Sequence, residues 1–156
     1  MTGSTLNVPM MALTGLLALS ACSSTEPSAP LLPAGAVAIT APAGYQAWYA
    51  KTEQCASLTG NYSSIKWYVV PNVSQFNSEF GATVALWRKS NNDNIIIVSG
   101  DYKDDEMVVR HEMLHSLLQV DGHPPTYFVA DCHLTWDSWA QNQASAYSNA
   151  SVSHAY

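Results

Sequence analysis

Residues Val109-Arg110-His111-Glu112-Met113-Leu114-His115 place the spacing His-Glu-x-x-His inside a stretch with helical periodicity, and that combination narrows what the chain can become. On a helix of about 3.6 residues per turn, positions four apart stack on one face, so His111 and His115 can offer imidazole nitrogens to a single ion. Glu112 then stands beside the ion and not on it, where a carboxylate serves as general base toward a water that a metal has acidified. Met107, Val108, Met113, Leu114, Leu117 and Leu118 recur at three- and four-residue intervals around the motif, as a helix packed on a core requires. Asp101, Asp104, Asp105 and Glu106 cluster where this helix should begin, facing the positive end of its dipole, with Asp104 or Asp105 as the expected cap.

A catalytic zinc site takes three protein ligands and keeps a further position open for water. No Glu follows Glu112, so the remaining ligand comes from Asp121, His123, Asp131 or His133. Gly122 supplies a bend and Pro124 fixes the chain after it, which favours His123. Asp121 is then the alternative ligand, or a partner that orients an imidazole. Tyr127 and His133 are the candidates for an oxyanion donor. Arg110, on a different helix face, is expected at the surface or in a salt bridge.

At the other end of the chain, Met10 to Ala21 is an apolar run too short to span a bilayer as a helix, and it ends in Leu19-Ser20-Ala21-Cys22. The segment resembles a bacterial lipoprotein signal, although no Lys or Arg precedes Lys51 to supply the usual positive start. That resemblance implies that 1–22 is removed or modified, that Cys22 becomes a lipidated first residue, and that the protein is exported to the outer membrane, cell surface or periplasm. Residues 23–43 are rich in Ser, Thr, Pro, Ala and Gly, with Pro27, Pro30, Pro33 and Pro42, and read as a flexible tether. Residues 44–139 are one domain's worth of sequence. Residues 140–156, rich in Ala, Ser, Asn and Gln, are expected to be a disordered tail.

With Cys22 assigned to lipid, Cys55 and Cys132 remain, and an oxidising compartment favours their pairing. A loop of nearly eighty residues closed in this way is credited with roughly 4 kcal/mol by the chain-entropy model. A net charge of −6 with only 6 Lys and Arg excludes a phosphate-neutralising surface and therefore nucleic acid as partner. Tyr45 to Leu58 carries Tyr45, Trp48, Tyr49, Cys55 and Leu58 at helical spacings, with Gly60 as the expected stop. Ile65 to Val70, β-branched and aromatic and ending at Pro71, reads as a strand. Thr83 to Arg88 and Ile95 to Ser99 read as two more, joined through the polar run Lys89 to Asn94.

Taken together, the first helix with Cys55, the strand Trp67-Tyr68-Val69-Val70-Pro71, the motif segment from Val108 to His115, and Gly122-His123-Pro124 through Phe128 to Cys132 resemble a group of small bacterial zincin-like metallopeptidases found among predicted lipoproteins. The resemblance implies an α+β fold, a minimal zincin-like domain with a small twisted sheet packed on the motif helix. It also implies a zinc ion (Zn2+) held by His111, His115 and His123, with Glu112 as catalytic base. A peptide or protein substrate would lie as an extra strand on the sheet edge. The protein is expected to be a monomer, attached to a membrane only through lipid at Cys22. The other reading is a non-catalytic lipoprotein in which the same helix holds zinc for structure or storage.

Overall fold

The computed structural model describes residues 1, 3, 32–90 and 92–153. Cys22 and the apolar run of 10–21 lie outside the described residues, and so does most of the expected tether. Among the described residues no helix is long and apolar enough to cross a membrane.

The order of elements is β1 (Val37–Ala38), α1 (Ala43–Ala56), β2 (Ile65–Val70), β3 (Phe76–Ser78), β4 (Gly81–Thr83), β5 (Ala85–Ser90), β6 (Asp93–Ser99), α2 (Glu106–Leu118) and α3 (Trp136–Ser153). The fold is mixed α+β. One sheet has strand order β1-β2-β6-β5, with β2 parallel to β6 and the other two pairs antiparallel; β3 and β4 form a separate hairpin. Strand β6 explains the layering, because Ile95, Ile96, Ile97 and Val98 are all essentially fully buried and a strand apolar on both sides needs cover on both. Ile96 and Val98 face α1 and α2, joining Tyr45, Met113, Leu114 and Phe128 in the main core. Ile95 and Ile97 face the opposite way, onto Val70 and Phe76.

That second face accounts for a departure from the sequence expectation. The last part of 23–43 is not free tether: Leu32 and Ala36 pack on the Ile95/Ile97 cluster, and Val37–Ala38 pair with Val69 and Tyr68 as β1. A strand of two residues with both side chains exposed carries no periodic signal. The expected disordered tail also differs, since helix α3 continues to Ser153. Helix α1 ends on Ser57 in the left-handed conformation (φ 54°), not at Gly60. Gly60 serves a different purpose, as a Cβ there would run into the Tyr49 hydroxyl and lie 2.6 Å from Leu117. At the other expected cap, the Asp105 carboxylate accepts the Val108 N–H of α2 at 3.0 Å.

Arg110 is buried, and it makes the salt bridge expected as the alternative to a surface position. Its guanidinium donates to Thr52 at 3.1 Å and to Glu106 at 3.2 Å, and lies 5.9 Å from the Trp139 ring centre. Helices α1 and α3 cover the face that the motif alone leaves open.

Tyr45 and Tyr49 anchor α1 in the core, and burial pushes both phenols up from their ordinary value, Tyr49 to about 12. The folded state thus favours the neutral phenol. Its contribution is complete below pH ~10, the unfolded value, and is lost as pH rises through the folded one. Thermal midpoints measured from pH 9 to 12 are therefore expected to fall, and to fall less steeply for Tyr49→Phe.

Candidate metal centre

Helix α2 presents His111 and His115 one turn apart, and the chain beyond it returns to bring in His123. The Nε2 atoms of His111 and His123 are 2.9 Å apart, and each lies 3.2 Å from Nε2 of His115. The other ring nitrogens fix this orientation. Nδ1–H of His111 donates to the Leu134 carbonyl at 2.6 Å, and Nδ1–H of His115 donates to the Val120 carbonyl at 2.8 Å. Carbonyl oxygens only accept, so the neutral rings carry their protons on Nδ1 and turn bare Nε2 lone pairs toward one another. Burial holds both imidazoles neutral, pulling His111 down to about 4 and His115 below its ordinary value.

Facing lone pairs at this distance repel unless a cation lies among them. A tetrahedral ion with N–metal bonds of about 2.0–2.1 Å places its ligand nitrogens about 3.3 Å apart, close to the triangle seen here. Among the described residues, His111, His115 and His123 are the group whose ligand atoms converge in this way, and they can hold a metal ion. The Asp121 carboxylate is outside the group, though it lines a cavity beside it.

The turn that delivers His123 is made differently from expectation. Gln119 adopts the left-handed conformation (φ 57°) and closes α2 through its N–H to the His115 carbonyl at 2.8 Å; Gly122 needs no special φ. The Gln119 side-chain amide ties this turn to Asn94 at 2.8 Å. A Cβ at Gly122 would meet open space, so Gly122→Ala is expected to retain full metal binding, as measured by metal stoichiometry of the purified variant. Downstream, the Pro124 carbonyl accepts the N–H groups of Tyr127 and Phe128 to start a π-helical turn over Thr126–Asp131.

That turn seats Phe128, which is fully buried with its ring centre 4.7 to 4.9 Å from those of all three imidazoles. It forms an apolar floor under the cluster. Neither this residue nor the Leu134 and Val120 carbonyls carries a sequence signal, because each acts through a position set by the tertiary fold. Cys55 and Cys132 are joined as a disulfide, with Cα atoms 5.1 Å apart, which ties α1 to the end of the same turn.

Glu112 is 7 % exposed, and burial pushes its carboxyl up to about 8 while the Trp87 backbone N–H, donating to it, acts in the opposite direction. Strand β5 is an edge of the sheet, so that N–H points away from β6 and toward the motif helix. Two cavities of about 340 Å³ each meet here, sharing Thr83, Ala85, His111, Glu112 and His123. One runs on past Met107, Leu134 and Trp136, and the other past Phe80, Trp87 and Asp121. Tyr127 and His133 line neither. The result is a groove along β5 with a buried carboxyl and a trio of imidazoles at its middle. No family model matches the chain, and comparisons with curated proteins and with solved structures likewise return no match.

Proposed function

We propose that the chain is a zinc-dependent peptidase with a minimal zincin-like domain, exported and held at a membrane by lipid on Cys22. One observation carries the reading: three converging imidazoles meet a buried glutamate at the centre of a groove that follows strand β5, an edge of the sheet among the described residues. His111, His115 and His123 would hold the zinc, a metal that imidazole suits. When bound, zinc supplies positive charge that polarises a carbonyl, acidifies a water and lowers the Glu112 pKa.

The chain's own groups do the rest. The β5 edge offers main-chain hydrogen bonds that draw an extended peptide across the cluster. Glu112, oriented by the Trp87 N–H, accepts a proton from the attacking water and passes it to the departing amine. The Leu134 and Val120 carbonyls keep His111 and His115 turned inward. A structural zinc site would close its shell with a fourth protein ligand, and the group among the described residues holds three.

Metal content of the purified full chain, measured by elemental mass spectrometry, tests the ligand set. One zinc per chain is expected for the parent and for Asp121→Ala, falling to background for His123→Ala. Retention of zinc by His123→Ala would overturn the assignment.

A further inference from the structure

The groove continues on both sides of Glu112, and what lines it bears on which peptides it admits. On one side the surface is Val84, Met107, Val108, Leu134 and Trp136; on the other, Phe80, Leu86 and Trp87. No Lys or Arg lines either arm, and Asp121 adds a negative charge to one. Within the two arms a terminal carboxylate therefore finds no side-chain counter-ion, and Asp121 repels acidic side chains in its own arm; Arg88, paired with Glu79, and Lys89 line the next cavity, past Phe80, Trp87 and Asp121.

Two large apolar residues stand out at the rims. Phe80, at the turn of the β3–β4 hairpin, is 74 % exposed and borders the arm containing Trp87. Trp136, at the first residue of α3, is 58 % exposed and borders the arm containing Met107. Both keep aromatic surface in water at the edge of a groove whose floor is already apolar, and covering such surface favours binding of an apolar side chain.

Resting on the peptidase reading, we propose that Phe80 and Trp136 are specificity-determining residues. They select internal segments of polypeptide with a bulky apolar side chain on each side of the scissile bond, which makes the enzyme an endopeptidase for apolar, non-acidic sequences. An extended chain sends alternate side chains to the same face, so a segment crossing the cluster presents one side chain to each arm. Because the groove is open past the cluster in both directions, neither end of the substrate needs to lie near Glu112.

Binding without turnover is the test. The full-length Glu112→Gln protein is titrated with dye-labelled capped hexapeptides Gly-Phe-Gly-Leu-Gly-Gly, Gly-Ser-Gly-Ser-Gly-Gly and Gly-Asp-Gly-Asp-Gly-Gly, whose paired side chains fall on one face of an extended chain, read by fluorescence anisotropy. The Phe-Leu peptide is expected to bind at least tenfold more tightly than the other two, and adding either Phe80→Ala or Trp136→Ala to be enough to erase at least tenfold of its affinity. Both side chains are exposed, and thermal melts matched to the parent establish that the variants are folded. Equal affinity for the three peptides, no binding, or affinity unchanged by both substitutions overturns the proposal, even if the parent protein cleaves peptides. The expected binding pattern with no cleavage by the parent would overturn the peptidase reading and leave the selectivity standing.

Discussion

Glu112→Gln is expected to keep one zinc ion per chain while peptide hydrolysis falls by about 10²- to 10⁴-fold, the usual contribution of a positioned general base. The substitution is nearly isosteric, and the amide oxygen of glutamine can still accept the Trp87 N–H that orients the carboxylate. The fold should not suffer, because burial disfavours the charged carboxylate, as its pKa near 8 records, and a neutral amide carries no such cost. On the proposed reading only proton transfer is removed. Zinc content by elemental mass spectrometry and turnover of a quenched peptide library separate the outcomes. Undiminished turnover would refute the role of base, and loss of zinc would make Glu112 a ligand.

The second large effect concerns the disulfide. Cys55 and Cys132 lie 77 positions apart, and the chain-entropy model assigns a loop of that length about 4 kcal/mol. Cys55→Ala/Cys132→Ala is expected to lose roughly that much stability in urea unfolding. Leu134, whose carbonyl fixes the His111 ring, follows Cys132 by two residues, and Phe128 precedes it on the same turn. Loosening that turn should weaken the cradle as well, so zinc affinity at fixed pH is expected to drop by about 10- to 100-fold, the range found when groups that orient ligands are lost. A stability loss with unchanged affinity would limit the disulfide to a staple between α1 and the turn.

Local pattern was sufficient where one element decides its own conformation. Ile65 to Val70 forms β2 at the expected bounds, since β-branched and aromatic residues end at a proline, and the motif helix starts at the acidic cap that its charge pattern favours. Among the candidates left open after Glu112, His123 is the one that converges on His111 and His115, although the bend at Gly122 that favoured it is not what delivers it. Other features depend on partners distant in the chain. Leu32 and Ala36 pack because β6 is apolar on both sides, which is visible only once β6 is known to be a central strand. Gln119, and not Gly122, makes the turn, because hydrogen bonds to His115 and Asn94 hold a residue type with no bias toward left-handed backbone. Arg110 is buried because Thr52, Glu106 and Trp139 converge on it from three helices.

If lipid on Cys22 anchors the chain, the docking of Leu32 limits how far the domain stands from the membrane. With Cys22 as the anchor proposed above, the chain from Cys22 to Leu32 reaches at most about 36 Å when fully stretched, on the order of one small domain's diameter. Leu32 and Pro33 line a cavity together with Asn77, Ser78 and Glu79, on the hairpin that carries Phe80. On the proposed reading the domain would then work close to the lipid surface with the Phe80 rim of its groove on the anchored side, and its reach would favour polypeptides emerging from, or lying along, the same membrane over those free in bulk solution.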